Sequence, residues 1–283
     1  MLKILLTGAS GGLGSRLFAA WTQQYEVCGL AYENPSEDQL SLDLTQPEPI
    51  ATLVKQRQPD AIVHTVALTN VDRCERDIGL AVKLNTLSTL HVRQAAEAVG
   101  CKVIFVSTND VFDGRRGHYR ETDVPAPVNF YAHTKLMAEN MLYGYEHSLI
   151  LRLTFMSWTA SGKVPFVRWV ADSLRQQKSI SLATDQYSSP LFVDTLAAWI
   201  PQLFEATGLY HLGGTSVSRY ELGMRVAREL RLDETLIQPV KAADLPFVAP
   251  RPLNVSLNTQ KVQQHYGLHS DFDREVQQLL SQK

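Results

Sequence analysis

The chain has 283 residues, with 27 lysines and arginines against 29 aspartates and glutamates, for a formal net charge of −2. So even a balance argues against nucleic acid or an anionic membrane surface as partner, because both draw clearly basic proteins or patches, and no apolar run approaches the ~20 residues that cross a bilayer. The opening "MLKILL" runs straight into "TGASGG", too short for a secretory core, and Cys28, Cys74 and Cys101 lack metal-ligand spacing, so a cytoplasmic protein with reduced thiols and no metal site is expected.

Strands are predicted at 3–7, 26–32, 61–67, 102–108 and 148–154, and helices at 13–24, 47–58, 79–100 (closed by Gly100) and 131–145. Nearly continuous apolar strands separated by helices mean a parallel sheet covered on both faces. Right-handed crossovers make it an α/β fold of the Rossmann type, a doubly wound parallel sheet. Beyond residue 155 the rhythm changes. A helix is predicted at 164–177, then a loop, a short strand and a helix within 186–204 that Asp194 is placed to cap. A strand at 208–214 precedes a helix with Ser218 at its N-cap and Glu221 three residues on, a capping box. The tail "APRPLNVSLNTQKVQQHYG" and a last amphipathic helix complete a smaller, less regular lobe.

The chemistry-bearing stretches begin with "TGASGGLG", in which Gly8, Gly11 and Gly14 repeat every third residue between the first strand and the first helix. Glycines there permit a tight turn and let backbone N–H groups approach a pyrophosphate, helped by the helix N-terminus. This context marks a dinucleotide site including Gly8, Ser10, Gly11, Gly12, Leu13 and Gly14. The second strand runs into "LAYENPSED", with Glu33 near its end and no arginine, which leaves NAD or NADP open. Asp43, in "LDL", is placed to reach the adenine.

In "NFYAHTKLMAENML" the helical period puts Tyr131 and Lys135 on one side with Thr134, Ala138, Met141, Leu142 and Tyr145, facing the sheet. An inward lysine is costly unless its charge has a use. Its ammonium would lower the phenol pKa, and a phenol so tuned exchanges a proton with a ketone or alcohol. Ser107 and Thr108 end the strand before it, at the edge where doubly wound sheets carry their sites, and a hydroxyl there can bind the substrate oxygen. Asp72 and Glu75 read as a helix N-terminal capping pair, and His64 and His133 as structural. Ala132, Leu136, Met137 and Tyr143 lie on the opposite side. A helix apolar on both faces is expected to be covered on both, which points to a homodimer.

Taken in order, "TGASGGLG", "VALTNVDRCERD", "VSTNDVFDG", "VPAPVNFYAHTKLMAENML", "ILRLTF", "DQYSSPLFVDTLA", "GLYHLGG", "SRYELG" and "APRPLNVSLNTQKV" resemble the extended short-chain dehydrogenase/reductase superfamily, and within it the dTDP-4-dehydrorhamnose reductase family. The resemblance covers almost the whole chain. It implies NAD(P)H-dependent reduction of the 4-keto group of a nucleotide-linked deoxysugar, with NADP or NAD as cofactor. It also implies that Gly11, Gly12 and Leu13 meet the pyrophosphate, Asp43 and Leu44 the adenine, and Ala67, Leu68 and Thr69 the ribose and phosphate side. Tyr131 would be the proton donor, Lys135 would hold the nicotinamide ribose, and Thr108 would bind the carbonyl. Thr108, Asn109, Phe155 and Arg251 would face the sugar nucleotide. Arg251 and Asn254 suit a diphosphate, although the prolines around them also make a rigid turn. The implied division is an NAD(P)-binding domain of 1–156 plus roughly 186–212, and a substrate-binding lobe of roughly 157–185 plus 213–283.

Two positions depart from the family pattern. Asn109-Asp110 stands where an acid and an aromatic are usual, and Phe155 stands where a tryptophan is usual. Asp110 also resembles an element of the nucleotide-sugar dehydratases, so a related epimerase or dehydratase is one alternative. Another comes from a different class: the regulatory beta subunit of methionine adenosyltransferase, a cofactor-binding partner protein, has the same resemblance and the same Tyr-x-x-x-Lys pair.

Overall fold

The computed structural model describes residues 1–158 and 164–280. Its centre is a seven-stranded, wholly parallel sheet built from β1 (Lys3–Thr7), β2 (Glu26–Ala31), β3 (Gln39–Ser41), β4 (Ala61–His64), β5 (Lys102–Thr108), β6 (Ser148–Leu153) and β11 (Gly208–Leu212). The order is β11-β6-β5-β4-β1-β2-β3. The sequence reverses direction on the two sides of β1, which is the doubly wound pattern. Successive side chains of a strand alternate between faces. Ile4, Leu6, Val63, Ile104, Leu149 and Leu151 therefore join one core, and Leu5, Ile62, Val103, Phe105 and Ile150 join the other. The first core packs under α1 (Gly14–Trp21) and α8 (Val193–Trp199), the second under α2 (Pro47–Arg57), α5 (Ser88–Glu97) and α6 (Phe130–Met141).

Most predicted elements are present with ends shifted by a few residues. The run before Asp43 is itself a strand, β3. The single helix expected at 79–100 is divided. Asn70 caps α3 (Val71–Arg76), and Asp77 restarts the chain as α4 (Ile78–Ala81). Residues Val82–Leu87 follow as wide π-type turns before α5. Gly100, at φ +73°, closes the end of α5. Such wide turns often sit at functional sites, and here they turn Asn85 fully inward.

The remainder comprises β7 (Phe155–Met156), α7 (Phe166–Arg175), β8 (Ile180–Ala183), β9 (Tyr187–Ser188), β10 (Leu191–Phe192), β12 (Val217–Ser218), α9 (Arg219–Glu229), β13 (Ile237–Val240), α10 (Gln260–Tyr266) and α11 (Phe272–Leu280). β8 and β13 form a separate parallel pair. α9 starts with the expected capping box between Ser218 and Glu221, at 3.0 and 2.7 Å. Asp194 does not cap α8: the N-cap is Phe192, and Asp194 binds the Arg16 guanidinium through three contacts of 2.7–2.9 Å. No helix among the described residues is long and apolar enough to cross a membrane.

Most of the inward face of α6 is as expected: Thr134, Lys135 and Ala138, with Leu142 and Tyr145 just past its end, are buried, whereas Tyr131 and Met141 are partly exposed. Its opposite face is different. Ala132 is completely buried, and Leu136 packs on Val111, Phe112, Tyr119, Val255 and Leu257 of the chain itself. Only Met137 and Tyr143 of that set are exposed, so most of the apolar surface read as a subunit face is covered from within.

Candidate active site

The sheet's C-terminal edge gathers the glycine turn, the β5 end and the start of α6. Gly8 has φ +73°, and a Cβ on Gly14 would lie 2.0 Å from the Gly8 carbonyl oxygen, so the turn closes only with glycine at both places. A Cβ at Gly11 would approach only that same carbonyl, at 3.2 Å, which leaves open space before the loop. Leu13 stands at the N-cap of α1, which has no side-chain cap and no acid in its first turn. Ser15 N and Arg16 N already bond the Gly11 and Leu13 carbonyls, at 2.9 and 3.0 Å, but the helix dipole and the open space before the glycine turn suit an anionic pyrophosphate, and this cradle fits a dinucleotide. Ser10 Oγ donates to the Glu33 carbonyl at 3.0 Å. Gly12 is partly exposed at the turn, whereas Leu13 is buried in the core.

The other residues assigned to the cofactor are less uniform. The Asp43 carboxylate accepts from Thr45 N at 2.8 Å and stays partly exposed, but Leu44 is buried in the second core. The loop of Ala67, Leu68 and Thr69 is fixed by Asn85, a residue that sequence reasoning passed over. Its Oδ1 accepts from Leu68 N at 2.6 Å, and its Nδ2 donates to Thr134 Oγ1 of α6 at 2.9 Å. A polar residue in an apolar helical stretch was the available signal.

Thr108 is the last residue of β5. Its hydroxyl accepts from Asp110 N at 3.1 Å and donates to Asn109 Oδ1 at 3.4 Å, and it lies near enough to the Tyr131 phenol to favour its ionised form. Asn129 caps α6 and aims its first turn, with Oδ1 accepting from Ala132 N at 2.9 Å. Ser107 is turned elsewhere, and donates to Glu139 Oε1 at 2.5 Å. Glu139 in turn holds Arg152 through contacts of 2.7–3.2 Å, in a pair whose side chains are 5% and 4% exposed.

Lys135 is buried, donates from Nζ to the Val106 carbonyl at 2.8 Å and sits 4.0 Å from the Phe105 ring centre. Burial brings its pKa down to about 7, against the opposing effect of Glu139. The expected lowering of the Tyr131 pKa by Lys135 is not what the geometry gives. Burial, then the Asp110 charge, push the phenol up, and the nearby Thr108 hydroxyl only partly opposes them.

Among the residues assigned to the sugar nucleotide, Phe155 lies in β7, just past the C-terminal end of β6 and paired with β10, and is 38% exposed. Asn109 is buried, and its Nδ2 donates to the Val255 carbonyl at 3.2 Å, so its amide anchors the tail rather than facing the cleft. Arg251 is held by Asp72 Oδ1 at 2.8 Å and by the Phe247 ring at 4.7 Å. Asp72 also accepts from Ala249 N at 3.0 Å, and Glu75 accepts from Phe130 N at 3.0 Å. These two acids tie the tail and α6 to α3 and do not cap it; Asn70 does. Asn254 bonds Ser256 within its own turn. Burial raises the Asp110 pKa, with Arg219 and Arg251 pulling the other way. Arg219, at the start of α9 and 5.0 Å from the Phe166 ring, is a second residue that the sequence reading missed.

The family model described as the RmlD substrate binding domain matches residues 2–283. The dTDP-4-dehydrorhamnose reductase of Shigella flexneri is 32% identical over 94% of this chain and 93% of its own length. The methionine adenosyltransferase 2 subunit beta of Xenopus laevis is 29% identical over 92% of this chain and 81% of its own. Among solved structures, the dTDP-4-dehydrorhamnose reductase of Bacillus anthracis, in complex with NADP, superposes with a TM-score of 0.90 at 25% identity, covering all of both chains.

Proposed function

The chain belongs to the dTDP-4-dehydrorhamnose reductase (RmlD) family, NAD(P)H-dependent oxidoreductases of sugar nucleotides, and on that premise we propose how its residues reduce the 4-keto group of a nucleotide-linked deoxysugar. The observation that carries the proposal is that the Tyr131 phenol lies close enough to Thr108, at the end of β5, to feel its hydroxyl, one helical turn from a buried lysine.

The dihydronicotinamide, when bound, supplies a hydride to the carbonyl carbon. Thr108 holds the carbonyl oxygen, and Tyr131 delivers its phenolic proton to that oxygen as negative charge builds there. A phenol whose pKa is raised by burial is fully protonated at neutral pH, the form a reduction needs. Lys135 holds the nicotinamide ribose and offsets the charge left on the phenolate after transfer. The turn from Gly8 to Gly14, with Ser10, Gly11, Gly12 and Leu13, holds the pyrophosphate. Asp43 and Leu44 flank the adenine, Leu44 as the buried floor. Asn85 keeps Ala67, Leu68 and Thr69 at the ribose edge.

The part of the chain outside the main sheet, roughly 157–185 plus 213–283, receives the sugar nucleotide, with Phe155 against the sugar and Arg251 toward the diphosphate. Asn109 acts from behind by holding the tail. Three free cysteines, two of them buried, agree with a cytoplasmic setting. A homodimer is supported on α6 by Met137 and Tyr143 alone, 39% and 79% exposed; a monomeric sedimentation mass would remove it. The experiment for the reaction supplies dTDP-4-dehydro-6-deoxyhexose with NADH or NADPH and follows cofactor oxidation. Turnover that depends on Tyr131 supports the proposal. Tight cofactor binding without turnover overturns it and favours a partner protein such as the beta subunit it resembles.

A further inference from the structure

The rim of the cofactor cradle beyond β2 is built, and it has one sign of charge. Residues 32–38 read Tyr-Glu-Asn-Pro-Ser-Glu-Asp, three acids and no lysine or arginine. The segment is fastened to the glycine turn at both ends. Ser10 Oγ donates to the Glu33 carbonyl at 3.0 Å, and Gln39 Nε2 donates to the Ala9 carbonyl at 3.1 Å. The same Gln39 side chain accepts from Ser36 N at 3.2 Å, so the loop folds back on its own anchor. The Glu33 backbone is thereby fastened beside the turn, about 20 residues past the glycines, the region from which an acid binds the 2′-hydroxyl of the adenosine ribose in dinucleotide folds.

A 2′-phosphate would need a cation at that place. The nearest arginine in sequence on the following helix, Arg16, is committed to Asp194 by three contacts of 2.7–2.9 Å. The dianionic phosphate would instead meet Glu33, with Glu37 and Asp38 on the same loop, and like charges at close range repel. We infer that this rim selects against the 2′-phosphate, with Glu33 as the discriminating residue, so that the chain prefers NADH to NADPH. The inference rests on the dinucleotide reading of the site and goes beyond it, since the Bacillus anthracis relative is described with NADP.

The test is binding, without any sugar. NADH and NADPH are titrated separately into the whole protein and followed by cofactor fluorescence at low and at moderate salt. NADH is expected to bind at least ~10-fold more tightly at low salt, with the gap narrowing as screening grows. Glu33 is exposed, so variants there leave the core intact. Glu33→Gln should narrow the gap from both sides, and Glu33→Arg should shift the preference toward NADPH. NADPH binding as tightly as NADH at low salt, or a ratio unchanged in Glu33→Arg, would overturn the inference while leaving the dinucleotide site in place. Binding of neither cofactor would overturn both.

Discussion

Lys135 donates its ammonium proton to the carbonyl oxygen of Val106, at 2.8 Å, from a side chain that is 2% exposed. The Val106 carbonyl belongs to β5, two residues before Thr108, so this bond docks the start of α6 onto the strand end where Tyr131 meets Thr108. The lysine thus fixes helix against sheet as well as carrying charge. Burial brings the Lys135 pKa down to about 7 and raises that of Tyr131, so of the two the lysine is the one whose charge changes near neutrality.

An unfolded lysine titrates near 10.5 and Lys135 near 7. Between those values the unfolded chain holds a proton that the native one lacks, so native stability gains as pH rises through the window. Below about 7 the full cost of burying the charge is present. Lys135→Met should therefore be more stable than the parent by ~2 kcal/mol at pH 7, after its lost hydrogen bond is counted. The advantage should shrink toward pH 10. Reductase activity should meanwhile fall by at least ~100-fold. Urea midpoints across that pH range check the first part, and steady-state rates the second.

Arg152 and Glu139 form the most deeply buried ion pair among the described residues, under Ser107. Glu139→Leu leaves an unpaired cation where water does not reach. A loss of about 3–5 kcal/mol is expected, read as a lower denaturant midpoint at unchanged slope. A loss below 1 kcal/mol would mean that Arg152 finds another partner.

Asp72 and Arg251 are partly exposed, at 30% and 15%, so their pairing contributes little to global stability, about 1 kcal/mol or less. If Arg251 is oriented by Asp72 toward the diphosphate, Asp72→Asn raises KM for the nucleotide sugar by ~10-fold and leaves kcat within about twofold. Equal losses in KM and kcat would point to a general disturbance of the tail instead.

His64 and His211 are both completely buried, and burial, then the charges of Lys135 and Arg152 respectively, bring each pKa down to about 3. Between about 3 and 6.5 the unfolded histidines bind protons that the native ones refuse, so stability falls as pH falls through that window. Thermal midpoints should drop steadily from pH 6.5 toward 4. His64→Gln, which keeps polar contact with Thr7 and Thr89, should flatten the slope.

The main sheet was legible because its strands are short apolar runs with helical stretches between them; β5 was placed to the residue and the start of α6 to within one, although α6 ends four residues earlier than expected. The glycine turn was legible because steric need restricts it to glycine. What escaped the sequence depends on contacts between distant segments. Asp72 and Glu75 sit where capping acids belong, and nothing local reveals that they bind Arg251 and Phe130. Asn109 follows Thr108 directly, yet its amide is drawn to Val255 by a tail 146 residues away. Asn85 needed the π-type turns to face inward, and the regular 3.6-residue period hid them. The outer side of α6 looked like a subunit face because the sequence does not show Leu136 meeting the cluster around Phe112.

The most direct test of the central claim follows the hydride itself. Reduced cofactor carrying deuterium on the transferring face of the nicotinamide is incubated with the protein and dTDP-4-dehydro-6-deoxyhexose, and the product sugar is examined by mass and NMR. One deuterium at C4 is predicted with the parent chain. At least ~100-fold slower transfer is predicted with Tyr131→Phe, at unchanged cofactor affinity. No label at C4 from a protein that binds the cofactor tightly, or full transfer by Tyr131→Phe, would contradict the assignment of Tyr131 as the proton donor of a sugar-nucleotide reductase.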